Sequence, residues 1–210
     1  MPTAPRIAIL DYGIGNLHSA HKGFEHAGAD ARLTADRDVI DEADGVVLPG
    51  VGAFRPTMEA LHRTGLDNVV RRTIDAGRPF MGICIGMQVL FASSEEAPGC
   101  AGLGVFDRPI RWLPDTVKRP QMQWNVVDSR RPHPMLAELP TETWMYFVHS
   151  LAAADGDDVI ATCDYGGPVV AAVARDNVWA AQFHPEKSGR NGLRMLANFV
   201  DRCRTGGGVE

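Results

Sequence analysis

The chain has 210 residues, 45% hydrophobic and 22% charged, which is the composition of an ordinary globular protein with one sizeable core. Its 26 acidic residues against 21 lysines and arginines leave a net charge of −5. That balance argues against nucleic-acid and membrane-surface partners, which call for a basic footprint.

The four cysteines, Cys84, Cys100, Cys163 and Cys203, are widely spaced and form no C-x-x-C pair. Neither a disulfide framework nor a zinc site has that spacing, and it fits a reducing compartment. The apolar run in MPTAPRIAIL is too short for a signal peptide, and no stretch approaches transmembrane length. A cytoplasmic protein is expected, with no metal site and no cofactor: there is no P-loop, dinucleotide fingerprint or metal cluster.

In chain order, RIAIL (6–10) is a predicted strand, followed by the polar turn DYGIGN (11–16) and a helix over 17–27. ARL (31–33) is a weak second strand, and GVVLPG (45–50) is a strong third one that runs into a loop. Pro56 suits the first turn of a helix reaching about Ala76, with Gly77 as its stop. RPFMGI (78–83) is the next strand, and a further helix begins over 86–92. This alternation predicts an α/β fold with a parallel sheet covered on both faces. Beyond Ser93, short β-like runs dominate: 105–113, 124–129, 143–150, 159–165, 169–174 and 178–184. Gly, Pro and Asp separate them, which predicts hairpins extending the sheet. A helix over 189–203 closes the pattern, and the TGGGVE tail is read as loose. No repeat, low-complexity block or linker interrupts the chain, so 1–210 is read as a single domain.

In Gly82-Ile83-Cys84-Ile85-Gly86 a cysteine stands between two glycines where strand passes into helix. This is the spacing of a nucleophile elbow, a sharp turn in which larger flanking residues would clash. Such a turn exposes the sulfur, and the helix start beyond it favours a thiolate and offers N–H groups to an oxyanion. The competing reading is a buried structural cysteine; the paired glycines and the strand–helix setting favour the nucleophile. Cys100, Cys163 and Cys203 lack that setting and are read as structural.

A thiolate nucleophile needs a base, and the base needs an orienting group. In QFHPEKSG (182–189) a strand ends at His184, Pro185 stops it, and Glu186 is placed to hold one imidazole nitrogen. A surface loop with an incidental acid would have the same pattern. His149, ending an aromatic strand, is a rival base without a nearby downstream carboxylate. His18, His21 and His26 are assigned to the surface of the first helix, and His62 and His133 to solvated surroundings. LPGVGAF (48–54) is a glycine-rich loop at the carboxyl edge of a parallel strand, where open α/β sheets place their sites. Gly50 and Gly52 let backbone N–H groups turn towards a ligand oxygen, although a plain βα turn would read alike.

Taken in order, DYGIGN, PGVGAF, GICIGMQVLF, SEEAPG, WNVV, YFVHS and QFHPEKSG resemble class I (triad-type) glutamine amidotransferases along nearly the whole chain. Within that family the pattern is most similar to the glutaminase subunits of imidazole glycerol phosphate synthases, which serve histidine biosynthesis. The resemblance implies a flavodoxin-like fold, with a mostly parallel central sheet flanked by helices and a β-hairpin extension. It implies a catalytic triad of Cys84, His184 and Glu186, and an oxyanion hole from Gly50, Val51, Gly52 and the amide of Ile85. L-Glutamine would be held by Gly52, Gln88, Glu96 and the backbone at Ser150, with Glu96 pairing the substrate's α-ammonium. The implied partner is a cyclase with a (β/α)8 barrel, forming a heterodimer that receives the ammonia internally. Tyr12, Asn16, Trp124, Tyr146 and Lys187 are the residues assigned to that interface, on the expectation of exposed aromatic anchors.

One stretch departs from the family pattern. Where its members usually have a histidine and a glycine, Pro120-Gln121-Met122-Gln123-Trp124-Asn125 has two glutamines, which bears on coupling to the partner more than on the triad. Two other readings remain at this stage besides the synthase subunit. One is a paralogue serving another amidating synthase, such as one in surface-sugar assembly; the other is a stand-alone thiol hydrolase. A catalytically silent binding module is disfavoured by the intact Cys84, His184 and Glu186.

Overall fold

The computed structural model describes residues 3–14 and 17–205. Asn16 and the 206–210 part of the tail lie outside the described residues. The first half alternates as the sequence predicts: β1 (Arg6–Leu10), α1 (His18–His26), β2 (Asp30–Thr34), α2 (Arg37–Asp41) and β3 (Gly45–Leu48). Then come α3 (Phe54–Thr64), α4 (Leu66–Asp75), β4 (Phe80–Ile83) and α5 (Ile85–Gln88). The second half is mostly strand: β5 (Phe91–Ser94), β6 (Phe106–Trp112), β7 (Gln121–Ser129), β8 (Thr143–His149) and β9 (Leu151–Ala153). It ends with β10 (Val159–Asp164), β11 (Pro168–Arg175), β12 (Val178–Ala181) and α6 (Gly189–Arg204).

Nine strands form one sheet in the order β2-β1-β3-β4-β12-β11-β10-β7-β8. The β2-to-β12 half is parallel, and the rest is antiparallel. A second sheet of three strands, β5-β6-β9, lies beside it. Strands β3, β4 and β12 are buried along their whole length, as expected where helices cover both faces. On one face Phe54, Met58 and Leu61 of α3 pack with Val69 and Val70 of α4. On the other, Phe24 of α1 packs with Met195, Leu196, Phe199 and Val200 of α6.

Several boundaries differ from the sequence reading, each for a local reason. The single helix expected up to Ala76 is two, because Gly65 adopts φ +71° and ends α3 with its N–H on the His62 carbonyl. Helix α2 was not expected; Asp36 caps it, its carboxylate accepting the Asp38 N–H at 2.9 Å. The helix expected over 86–92 is the short α5, after which the chain straightens into β5. The run 143–150 ends as a strand at His149, and β9, which was not expected, follows Ser150 and joins the smaller sheet.

The parallel register positions everything that follows. Leu48 pairs with Gly82, and Ile83 pairs with Ala181, so β3, β4 and β12 end at one level of the sheet edge. There the chain enters Pro49–Gly52, Cys84 and the segment containing His184.

Replacing Gly65 with alanine puts a Cβ on a left-handed residue, and the protein is expected to lose about 1–2 kcal/mol. Urea unfolding followed by circular dichroism measures this, with Gly99→Ala, also at positive φ but in open surroundings, as the comparison.

Candidate active site

Cys84 lies at the turn between β4 and α5 with φ +56° and ψ −112°, a conformation that L-residues rarely adopt. Its own N–H donates to the Ala181 carbonyl at 2.8 Å, extending the ladder with β12 by one residue. The flanking glycines have distinct reasons. A Cβ on Gly86 would lie 1.8 Å from the Leu48 carbonyl oxygen, and one on Gly82 would meet the Gly86 carbonyl at 2.8 Å. Neither obstacle can move, since both are backbone. The elbow expected from the sequence is therefore present, with the thiol 7% exposed at its tip. Burial raises the thiol of Cys163 to about 11 and that of Cys203 to about 12.

From the end of β12 the chain delivers His184, with φ −102° and ψ 94°, into a short 3-10 turn at Pro185–Lys187. That turn brings Glu186 back onto its neighbour, and His184 Nδ1 lies 2.7 Å from Glu186 Oε1. Both side chains are nearly buried, at 2% and 7% exposure. Burial pulls the His184 pKa down, but its interactions with Cys84 and Glu186 pull it up and prevail, leaving it at about 9. At neutral pH the ring is an imidazolium held between a sulfur and a carboxylate. Nε2 closes no well-aligned hydrogen bond among the described residues, although its interaction with Cys84 is the largest that raises the His184 pKa.

A cavity of about 290 Å³ opens at this edge, lined by Cys84, His184, Val51, Gly52, Gln88 and Glu96 among others. His149 and Ser150 line it too, although the sequence reading separated them in role. His149 donates from Nδ1 to the Leu151 carbonyl at 2.8 Å, since a carbonyl only accepts. Burial, reinforced by the His184 charge, lowers its pKa to about 4 against the Leu151 contact. His149 is thus neutral and tied to a carbonyl, where His184 is charged and tied to a carboxylate. Gln88, 5% exposed, donates both amide hydrogens, to the Leu151 carbonyl at 3.0 Å and to Gln182 Oε1 at 2.9 Å. Glu96 accepts the Phe54 N–H at 2.8 Å, which fastens the mouth of the cavity to the start of α3. Gly52 has φ +121°, a value for glycine alone, and Gly50 is forced because a Cβ would lie 1.8 Å from the Tyr12 hydroxyl. A larger cleft of about 690 Å³ lies along β7 and the 132–143 loop, but no thiol lines it. Its His133 Nδ1 already accepts the Met135 N–H, and the ring is half-buried against Trp179, not solvated as expected.

Most of the chain matches a known family model. The model of glutamine amidotransferase class-I covers residues 8–203. The chain belongs to the class I glutamine amidotransferases. Imidazole glycerol phosphate synthase subunit HisH from Acinetobacter baylyi is 46% identical over 201 residues, covering 93% of this chain and 98% of that one. The subunit of the same name from Methylococcus capsulatus is 49% identical over 207 residues, covering 92% and 95%. Among solved structures, PurLQS from Thermotoga maritima aligns with TM-score 0.74 at 17% identity, over 94% of this chain and 98% of that one. A glutamine amidotransferase structure aligns with TM-score 0.73 at 17% identity, over 93% and 98%. These likenesses identify the flavodoxin-like fold of the class I amidotransferases.

The residues assigned to a partner face divide. In this amidotransferase Tyr12 is not an exposed anchor: it is fully buried, and its hydroxyl donates to the Pro49 carbonyl at 2.9 Å. Burial, with the nearby Cys84 and Asp11, raises its pKa well above the usual phenol range. Trp124 is 47% exposed and meets Tyr146 edge-on at 6.0 Å, and Lys187 is exposed. The sequence reading missed Met122 and Trp144, which are 63% and 44% exposed on the same hairpin. Period-two alternation was the available signal: Met122, Trp124 and Val126 pair with Val148, Tyr146 and Trp144. Gln182 and His149 were also passed over as parts of the polar network, because nothing in a strand pattern marks a buried amide.

The raised pKa of His184 has a sign in stability. A group more basic when folded than when unfolded stabilises fully below its unfolded value, near 6.5, and loses this as pH rises towards 9. Urea midpoints are expected to fall between pH 6.5 and 9, and Glu186→Gln is expected to flatten that slope.

Proposed function

We propose that this amidotransferase is the glutaminase subunit of an imidazole glycerol phosphate synthase, acting through Cys84, His184 and Glu186. The observation that carries the reading is the placement of the strained Cys84 and the 2.7 Å His184–Glu186 pair on one cavity with Gln88 and Glu96. The attacking form is the ion pair in which His184 holds the proton that Cys84 has given up. The Cys84 thiolate attacks the carboxamide carbon of glutamine, and the carbonyl becomes an oxyanion facing the Gly50–Gly52 loop and the Ile85 amide. Collapse breaks the C–N bond while His184 gives its proton to the leaving nitrogen, releasing ammonia and a γ-glutamyl thioester. His184, now neutral, takes a proton from water as the water attacks the thioester, and glutamate leaves. Glu186 holds the ring and offsets its charge throughout. The Glu96 oxygen that Phe54 does not occupy pairs with the α-ammonium.

Ammonia released into bulk water would be protonated and useless as a nucleophile. The chain is therefore read as docked to the (β/α)8-barrel cyclase that turns PRFAR into imidazole glycerol phosphate and AICAR, with the ammonia passed between them. The relatives' names support this, as does the Met122–Trp124–Trp144 stripe, since Pro120 and Val148 of the same hairpin line the cavity. Tyr146 supports it further: its carbonyl accepts the His184 N–H at 3.0 Å and its N–H donates to Ser188 Oγ at 2.9 Å. Of the two departures from the family pattern, Gln121 is buried beside Cys163 and Gln123 is exposed on the hairpin. We read 1–210 as one domain, and its four unpaired cysteines as those of a cytoplasmic protein.

Glutamine hydrolysis is expected to be slow alone and stimulated by the cognate cyclase with its nucleotide substrate. Cys84→Ala is expected to cut glutamine-dependent synthesis by at least about a thousandfold while leaving ammonia-dependent synthesis by the complex intact. Hydrolysis surviving in Cys84→Ala would remove the catalytic assignment. An unstimulated wild type would point instead to a paralogue serving another synthase.

A further inference from the structure

We infer that Gln182 is a further functional residue of this glutaminase: its side-chain amide donates a hydrogen bond to the Cys84 sulfur, and the Leu151 carbonyl imposes the direction of that bond. The inference rests on Cys84 being the nucleophile, as proposed above.

Gln182 is fully buried, and its Nε2 lies 3.8 Å from Cys84 Sγ. Nitrogen and oxygen of an amide have nearly the same shape, so the polarity must come from the neighbours. Here it does. The Leu151 carbonyl can only accept, so the Gln88 atom 3.0 Å from it is the amide nitrogen. That same nitrogen reaches Gln182 at 2.9 Å, and a second nitrogen there would put donor against donor. Gln182 must therefore present Oε1 to Gln88, which leaves its Nε2 for the sulfur. His149 Nδ1, on the same carbonyl at 2.8 Å, adds a second donor and leaves no acceptor vacancy through which the chain of bonds could reverse.

The backbone holds the donor in place as firmly as the side chains do. Gln182 continues β12, its N–H donating to the Ala171 carbonyl at 2.8 Å. Gln182 and His184 are two residues apart where β12 gives way to a bend, and each side chain interacts with Cys84. One strand end thus supplies the sulfur with a neutral N–H from Gln182 and a charged ring from His184. A thiolate is a much better acceptor than a thiol, so an N–H that cannot turn away favours the reactive form.

The test is the pH dependence of Cys84 alkylation by iodoacetamide, from pH 5 to 10, read on the Cys84 peptide by mass spectrometry. Gln182→Met removes the donor at similar volume. It is expected to slow alkylation about tenfold near neutral pH and to displace the profile upward by about one unit, with an unchanged plateau at high pH. The profile of kcat/KM for glutamine should move with it. Gln182→Glu keeps the acceptor that Gln88 needs but turns an oxygen on the sulfur, so its displacement should be at least as large. That variant differs by one group and carries the test if the methionine variant does not fold. Either profile superimposing on the wild type overturns the inference. If it does so while Cys84→Ala remains inactive, only the role of Gln182 falls; if Cys84→Ala still hydrolyses glutamine, the proposed function falls first.

Discussion

The sheet edge depends on the approach of the Gly86 backbone to the Leu48 carbonyl. A Cβ on Gly86 would stand 1.8 Å from that oxygen, closer than any packing adjustment can relieve, because both partners are main chain. The contact locks the start of α5 against the end of β3. It thereby sets where the chain turns after β4, and Cys84 accepts a left-handed backbone as the cost. The neighbouring geometry follows from the same constraint. The Pro49–Gly52 loop starts where β3 stops, its first carbonyl held by Tyr12 from beneath. The third parallel strand ends at the same level through the Ile83–Ala181 pair, so His184 arrives beside the sulfur without a long excursion.

Charge at the site is organised in two shells with opposite character. Around His184 the partners are ionic, and the interactions with Cys84 and Glu186 outweigh the cost of burial. Around Gln88, Gln182 and His149 they are neutral dipoles, tied to one backbone carbonyl at Leu151. Bonds converging on one acceptor fix the direction of both amides, and a single reversed amide would leave donors facing donors; among the described residues His149 Nε2 is the atom of this network without a partner. The break between β8 and β9 is what brings that carbonyl within reach. The same hairpin presents Trp124 and Tyr146 outward, so one element both carries an aromatic face and bounds the cavity.

How much of this was legible in the sequence can be traced residue by residue. The elbow was, because two glycines around a cysteine at a strand end have few other physical reasons. The His184–Glu186 pair was legible as a possibility of spacing, and proline at 185 explains why the chain folds back tightly enough to realise it. Helix α2 carried a readable Asp36 cap that a short apolar pattern concealed. Gly65 was hidden for the opposite reason, since amphipathic periodicity continues on both sides of it. Tyr12 was misplaced because an aromatic in a polar, glycine-bearing turn reads as exposed; what buries it is Gly50, a neighbour only in three dimensions. The polarity of the glutamine network was beyond any sequence pattern, as it depends on which atom faces which.

The exposed hairpin also has a consequence for the cell that makes this chain. Met122, Trp124 and Trp144 are 63%, 47% and 44% exposed on one face of one hairpin. A copy without a partner shows that face to water and to every other such copy, and encounters between copies rise with the square of their concentration. A surface that covered the hairpin would remove it from those encounters. Those three side chains thus bear on the solubility of the chain, apart from any chemical step.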